Sequence, residues 1–519
     1  MQHRVVGTVL GIVAMSLAAQ STLAQQDCAT LTGFSLAGTQ LEISRAEQLT
    51  AGPAPGNEFR RGYTGDIPAH CRVEGTIDKR IGVNGTPYGI GFALALPNDW
   101  NGRFLFQGGG GLNGSVGLPL GAAAAGETPA LARGFAVVTT DSGHEGAVFD
   151  GSFFADQEAT LNFLYLAVGR VTIVAKAIVA AHYGQATNRA YFAGCSTGGR
   201  EGMIMSQRFP NYFDGIIAGA PAMRTGYSNI GMRWVSVSLS QAAERDTNGT
   251  PMPGTSLSAG DRKLIVDSAM ASCDADDGIV DGMLFNTAAC SFDPGELVCA
   301  GQNTNQCLRL EQVDAVKRAM SGPRASNGEP VYVGYLYDSG IAATGSGAIP
   351  GLLNGAASPV GGPTPPTEQD VDAEALAAAA EPSALGNSHS WTNLSSFLGS
   401  GRKLLFYHGV SDPWFSVVDT IEYYDKLGRT NSAAASVNDW SRLYLVPGMG
   451  HCGGGTQTLN RFDLLSAVVD WVENGVEPDS ITATGSAYPE RSRPLCSYPN
   501  YAHYTGSGDP EEASSFECR

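Results

Sequence analysis

Apolar residues in the first 220 positions fall into short runs separated by glycine-rich breaks, and their period changes along the chain. Residues 88–97 (YGIGFALALP) form one β-type run, and residues 103–106 form another that leads straight into Gly108-Gly109-Gly110-Gly111. A β-branched run at 135–140 (FAVVTT) ends at Asp141-Ser142-Gly143-His144. Residues 161–183 carry apolar side chains at helical spacing without an internal proline, which predicts a long helix. A strand at 190–193 is followed at once by Gly194-Cys195-Ser196-Thr197-Gly198-Gly199, then by a helix over 198–208 and a strand at 215–218. Strands alternating with helices predict an α/β sheet of parallel order.

The alternation stops near Pro221. From there to Ser390 the chain is rich in Gly, Pro, Ala and Thr, with four cysteines and no clear strand–helix rhythm. Gly361-Gly362-Pro363-Thr364-Pro365-Pro366 reads as a linker or extended loop, and 371–380 as an alanine-rich helix. The sheet pattern resumes at 403–407 (KLLFY) and 442–446 (RLYLV). The expected architecture is an α/β-hydrolase core in two parts, 25–220 and 391–519, with a large lid, 221–390, inserted between them. No internal repeat is present.

A chain of 519 residues can hold both a core and such an insertion. Hydrophobic residues reach 43%, enough for a buried core, whereas charged residues are only 16% against roughly 25% in an average protein. Fifty acidic residues face thirty-two basic ones, for a net charge of −18, which repels phosphate backbones and anionic lipid surfaces. Nucleic-acid and membrane partners are therefore not expected, and no protein partner is implied. Residues 1–24 read as a secretory signal: Arg4 in the n-region, an apolar core over 5–19, and Thr22-Leu23-Ala24 at the cleavage position. The mature protein is expected to be exported, to periplasm or medium, beginning near Gln25. Ten cysteines in an oxidising compartment argue for five disulfides, and the lack of any CxxC pair gives zinc or thioredoxin-like chemistry no support.

Gly194-x-Ser196-x-Gly198 fits a nucleophile elbow, a tight strand-to-helix turn that lifts a serine above a sheet. Such a motif alone is weak, because Gly and Ser are ordinary loop residues. An α/β-hydrolase requires an acid and then a base later in the chain, each after a strand. The strand at 403–407 is followed by His408-Gly409-Val410-Ser411-Asp412, and the strand at 442–446 by Pro447-Gly448-Met449-Gly450-His451. Ser196, Asp412 and His451 thus stand in the required order, with His408 as a competing base. Cys195 precedes the serine and Cys452 follows the histidine, so a triad in contact would bring these thiols near disulfide range. The oxyanion donors expected from the same logic are the amide of Thr197 and one from Gly108–Gly111, with Gly110 favoured. A phosphate-binding reading of those glycines lacks the following helix and lysine.

The run GCSTGG, the Ser-Asp-Pro around Asp412 and Gly448-Met449-Gly450-His451-Cys452 resemble the tannase and feruloyl esterase family over nearly the whole mature chain. That family carries Cys-Ser, Asp and His-Cys as its hallmark and includes mono(2-hydroxyethyl) terephthalate hydrolases. The resemblance implies the pairs Cys28–Cys71, Cys195–Cys452, Cys273–Cys290, Cys299–Cys307 and Cys496–Cys518, and a lid between nucleophile and acid. It also bears on residues 273–283 (CDADDGIVDGM), which concentrate four carboxylates. Hard oxygen donors at this spacing suit Ca²⁺, although Ile279 and Phe285 stand where an EF-hand needs Gly and Glu. From the residues alone a solvated acidic loop is an equal reading. The resemblance implies a structural calcium on the side chains of Asp274, Asp277 and Asp281 and the carbonyls of Ile279 and Met283.

The expected reaction is hydrolysis of an ester through an acyl-Ser196 intermediate, and the family's usual substrates are esters of small hydroxylated aromatic acids, ferulates and gallates. Phe415 is a candidate lining residue for an aromatic pocket, with Trp391 and Trp414 as weaker ones. Residues 325–401 contain no Lys or Arg. The terephthalate half-ester hydrolases of the family clamp a free carboxylate with an arginine in that half of the lid, so a terephthalate half-ester is the alternative substrate unless Arg224, Arg233 or Arg245 reaches in. A catalytically idle binding protein on the same fold is the alternative of a different class, and a peptidase has no positive sign.

Overall fold

The continuous apolar runs become strands because both of their faces are covered, as the middle of a parallel sheet requires. The computed structural model describes residues 26–54, 65–301, 306–344, 349–354 and 368–519; the expected signal at 1–24 and linker at 361–366 lie outside them. The strands are β1 (Leu41–Leu49), β2 (His70–Ile81), β3 (Pro87–Pro97), β4 (Arg103–Gln107), β5 (Ala136–Thr140), β6 (Arg189–Cys195), β7 (Gly215–Gly219), β8 (Lys403–Gly409) and β9 (Ser441–Val446). They form one sheet in the order β1-β2-β3-β5-β4-β6-β7-β8-β9. From β5 to β9 every neighbouring pair is parallel. β1, β2 and β3 add an antiparallel edge. The sheet is therefore mixed where a parallel one was expected. β1 and β2 escape a periodicity reading because charged residues are spread through both, and β1 is largely exposed.

Each expected core strand is present, with bounds shifted by one or two residues. The long helix begins earlier than expected, at Gln157–Leu161 capped by the Asp156 side chain, passes through a π-helical turn at Asn162–Leu166, and continues as α1 (Ala167–Tyr183). Gly184 ends it in the left-handed conformation that glycine adopts without penalty. The stretch Gln157–Tyr183 is long and apolar enough to cross a membrane, but it lies mostly buried, with Val171, Val174 and Ile178 in the core against the sheet. α2 (Thr197–Arg208) follows β6 directly.

Between β7 and β8, no strand of the sheet intervenes among the described residues. Helices α3 (Thr225–Gln241), α4 (Ala259–Cys273), α5 (Leu310–Ser321) and α6 (Val371–Ala380) occupy this stretch. Only α6 was legible beforehand, because Ser and Gly dilute the apolar stripe of α3. Val235, Leu239, Ile265, Leu308, Val316 and Leu352 build a separate core here. After β8 and β9 come α7 (Val417–Asn431) and α8 (Leu464–Asn474), and then two small antiparallel ribbons, Ser480–Gly485 with Tyr488–Cys496 and Ala502–Tyr504 with Phe516–Cys518. All five cysteine pairs implied by the resemblance are formed.

Candidate active site

At the end of β6 the backbone turns at Ser196, which holds φ 64° and ψ −122°. A non-glycine residue in such a conformation costs of order 1–3 kcal/mol and persists only where its surroundings enforce it. Here the Ser196 amide donates to the Gly219 carbonyl at 3.0 Å, and its own carbonyl accepts from Arg200 and Ala222. The flanking glycines are steric requirements. A Cβ on Gly194 would stand 2.7 Å from Gly198, one on Gly198 2.8 Å from the Gly109 oxygen, and one on Gly199 2.2 Å from the Gly219 oxygen. Among the described residues the Ser196 hydroxyl has no hydrogen-bond partner, and the residue is partly exposed.

Asp412 lies in the turn after β8 and is buried. Its Oδ1 accepts from the amides of Trp414 (2.9 Å) and Phe415 (3.1 Å), and its Oδ2 lies 2.7 Å from His451 Nδ1 and 3.2 Å from His408 Nε2. Burial opposes ionisation, but the two imidazoles outweigh it and hold the carboxyl well below the usual range. His408 is fully enclosed. Its Nε2 lies between two acceptors, Asp412 and the Phe415 carbonyl at 2.9 Å, and therefore carries the proton, while Nδ1 meets the Thr420 hydroxyl at 2.8 Å. The competing-base reading of His408 is thus corrected: it is a second donor to Asp412. Among the described residues His451 Nε2 has one hydrogen-bonding neighbour, the Cys452 sulfur at 3.6 Å.

The Cys195–Cys452 bridge, with a Cα separation of 5.9 Å, joins the residue before Ser196 to the residue after His451. A second tie was invisible in the sequence. Asp338, fully buried, accepts from the Ser411 hydroxyl at 2.5 Å and from the Gly448 amide at 2.7 Å. It thereby links the inserted segment to the acid loop and the base loop, and burial raises its pKa. The same segment accepts a bond from Ser416 Oγ at the Gly334 carbonyl, 2.6 Å away.

Gly110 sits in the loop after β4, beside the start of α2. The Gly198 amide donates to the Gly109 carbonyl at 3.1 Å, and Thr197 Oγ1 donates to the Gly111 carbonyl. Thr197 opens α2, where its amide has no intrahelical acceptor. Gly111 adopts φ 58°, and a Cβ there would stand 2.6 Å from the Val148 carbonyl oxygen.

Aromatic rings border His451. Trp414 and Phe415 lie with ring centroids 5.1 Å and 5.2 Å from its own, and Phe149 meets Trp414 edge-on at 6.1 Å. Trp414 is therefore as close as Phe415, and Phe149 was missed because a lone Phe in a polar loop carries no signal. Trp391 belongs elsewhere. It stacks on Arg208 at the far end of α2, roughly 16 Å along the helix from Thr197.

The three arginines considered as carboxylate clamps are already engaged. Arg224 pairs with Asp419, its Nε 3.1 Å from both carboxylate oxygens, and lies over the Tyr332 ring. Arg233 pairs with Glu374 at 3.0 Å, and Arg245 donates to the Gly249 carbonyl at 2.7 Å.

In the acidic loop Asp274 and Asp277 are buried, and one oxygen of each has no hydrogen-bond partner among the described residues. Burial, with repulsion from Asp281 and Asp274, pushes Asp277 up to about 7, and Asp274 is raised for the same reason. Two buried, unpartnered carboxylate oxygens fit a hard cation. Asp281, however, turns to Arg493 and Arg491, so among the described residues no three such groups gather into a metal set.

A family profile described as "Tannase and feruloyl esterase" matches residues 71–356 and 374–519. The chain is 38% identical to a mono(2-hydroxyethyl) terephthalate hydrolase of Piscinibacter sakaiensis, over 87% of this chain and 85% of that one. It is 30% identical to feruloyl esterase B of Aspergillus niger, over 82% of each. The crystal structure of feruloyl esterase B from Aspergillus oryzae superposes with a TM-score of 0.75 at 25% identity, covering 95% of this chain and 99% of that one.

Proposed function

The chain belongs to the tannase and feruloyl esterase family and is a carboxylic ester hydrolase, and from that premise we propose that it is an exported serine esterase cleaving esters of aromatic acids, hydroxycinnamic or gallic in type. The observation that carries the serine mechanism is the strained Ser196 stapled through Cys195–Cys452 to a histidine whose Nδ1 meets a buried carboxylate. In this reading His451 Nε2 takes the Ser196 proton as Oγ bonds to the ester carbonyl carbon. The carbonyl oxygen becomes an oxyanion received by the Thr197 and Gly110 amides. The C–O bond to the alcohol then breaks, and His451 returns the proton to the departing oxygen. Water repeats the sequence on the acyl-serine and releases the acid. Asp412, ionised throughout, holds the imidazole tautomer and offsets the charge of the imidazolium.

The ring border of Phe149, Trp414 and Phe415 supports an aromatic acyl group. The similarity to a terephthalate half-ester hydrolase supports the alternative substrate, while the engagement of Arg224, Arg233 and Arg245 argues against a free-carboxylate clamp. Five disulfides support export. We also propose a structural Ca²⁺ in the acidic loop, on the buried oxygens of Asp274 and Asp277 with the carbonyls of Ile279 and Met283. Asp281, the third side chain the resemblance implies, would have to leave Arg493 and Arg491 to join them. The ion would supply charge neutralisation and take no part in the reaction.

The deciding experiment compares kcat/KM for methyl ferulate, methyl gallate and mono(2-hydroxyethyl) terephthalate, with Ser196→Ala as the blank. A phenolic ester is expected to win by about tenfold or more, the worth of one unmade charge-assisted contact. Preference for the terephthalate half-ester would overturn the substrate reading. Failure of a fluorophosphonate to label Ser196 would instead favour an idle binding protein.

A further inference from the structure

Helix α2 carries more than the nucleophile. It grips the loop Gly108–Gly111 through three of its residues, Thr197, Gly198 and Glu201. Gly198 N–H donates to the Gly109 carbonyl at 3.1 Å, Thr197 Oγ1 donates to the Gly111 carbonyl, and the Glu201 side chain accepts from the Gly109 amide at 2.9 Å. Gly109 is thus held through both its N–H and its C=O. Because the C=O and N–H of a trans peptide point in opposite directions, pinning the Gly109 oxygen also sets the direction of the Gly110 N–H.

Glu201 is buried, as are its other partners. Its Oε1 accepts from the Ser142 hydroxyl at 3.2 Å and the Asn113 amide at 3.3 Å. Asn113 and Ser142 sit at φ 53° and 67°, and the Asn113 backbone N–H donates to the Gly110 carbonyl at 3.0 Å. One carboxylate therefore joins the oxyanion loop, the turn that follows it and the end of β5. The neighbouring Arg200 turns away onto the Phe163 ring, 4.5 Å from its centroid. Burying a carboxylate is costly, and burial raises the pKa of Glu201 against the opposing bond from Gly109. A group retained at that cost beside a reacting centre has a geometric task.

We propose that Glu201 is a positioning residue for the oxyanion hole: it holds the Gly109 N–H, and with it the peptide before Gly109, so that together with the Gly198 N–H on the Gly109 carbonyl it fixes the Gly110 N–H relative to the Thr197 N–H. The proposal rests on the serine-esterase reading given above. A clamp of this kind acts on the transition state and leaves ground-state binding alone, which separates it from a packing role.

The test measures kcat and KM on p-nitrophenyl acetate, together with inhibition by phenylboronic acid, whose tetrahedral serine adduct needs the same donors. Glu201→Ala is expected to lower kcat by roughly ten- to a hundredfold, less than the roughly 10²–10³ lost when a donor is removed outright, with KM within about twofold. Boronate inhibition should weaken by the same factor as kcat/KM, while inhibition by the product acid stays unchanged. Glu201→Gln keeps a carbonyl oxygen for the Gly109 amide and is expected to recover most of the loss. Should Glu201→Ala not fold, Thr197→Val, which removes only the pin on Gly111, is expected to lower kcat about fivefold with KM unchanged. A lower Tm with unaltered kcat and boronate affinity in Glu201→Ala, or wild-type kcat in Thr197→Val, overturns the proposal. If the wild-type protein neither turns over the ester nor labels with fluorophosphonate, the esterase reading itself falls, and this inference with it.

Discussion

Asp412 receives four donors, two amides and two imidazoles, and only one of the imidazoles reaches the serine side of the site. Glutamine at 408 would keep an N–H where His408 Nε2 now stands, so His408→Gln is expected to retain kcat within about fivefold, roughly the worth of one perturbed hydrogen bond. His451→Gln removes the base and is expected to cost roughly 10⁴-fold or more. Equal losses in the two variants would contradict the assigned roles. His144 offers a separate test by pH. Burial, with its ring stacked 3.8 Å from Phe153, holds it at about 4 against the usual 6.5. Between those values the unfolded chain binds one proton that the folded chain refuses. Its penalty on stability therefore grows as pH falls from 6.5 towards 4 and is absent above that window. His144→Gln is expected to flatten the pH dependence of denaturant stability there by up to ~1.4 kcal/mol per pH unit. Parallel curves for variant and wild type would refute the shift.

Among the elements, the strands that form the middle of the sheet were legible because continuous burial writes continuous apolar runs, as in β5 and β7. The antiparallel strands β1 and β2, and the helices of the insertion other than α6, were not, because exposed positions mix polar residues into the pattern. The junctions between elements determine whether the site is assembled. β6 and the loop after β9 come together through Cys195–Cys452, which spans 257 residues. Replacing both cysteines by alanine is expected to cost about 2–5 kcal/mol of stability and to lower kcat, since the same bond sets the serine–histidine approach. Wild-type kcat in a folded double variant, with the thiols confirmed absent, would leave the staple with no catalytic part.

At the scale of the whole molecule, distant segments converge on the acidic loop. Arg491 and Arg493 of the C-terminal ribbon pair with Asp281, and the Gly278 turn packs against His503 and Tyr504. A cation bound there would join the inserted segment to the chain's end while leaving the triad untouched. Chelation is accordingly expected to lower Tm by several degrees, with kcat changed little at temperatures where the protein stays folded, and added Ca²⁺ should restore it. An unchanged Tm after verified calcium removal would count against the site. The net charge of −18 acts on the same scale and favours neutral over anionic substrates at long range.

What the sequence by itself determined is local or ordinal. It held the steric need for glycine around Ser196, the order of Ser196, Asp412 and His451 after successive strands, and the cysteines beside two of them. These are legible because a tight turn constrains its own neighbours and a fold constrains the order of its loops. Tertiary structure alone decided which buried polar groups meet. Asp338 finds Ser411 and Gly448 at 73 and 110 residues' distance, and Glu201 finds Gly109 at 92. His408 turned out to be a donor only because the chain path placed Thr420 and the Phe415 carbonyl around it. A buried carboxylate or imidazole must be satisfied by whatever the fold brings within 3 Å, and no local period in the chain records that choice.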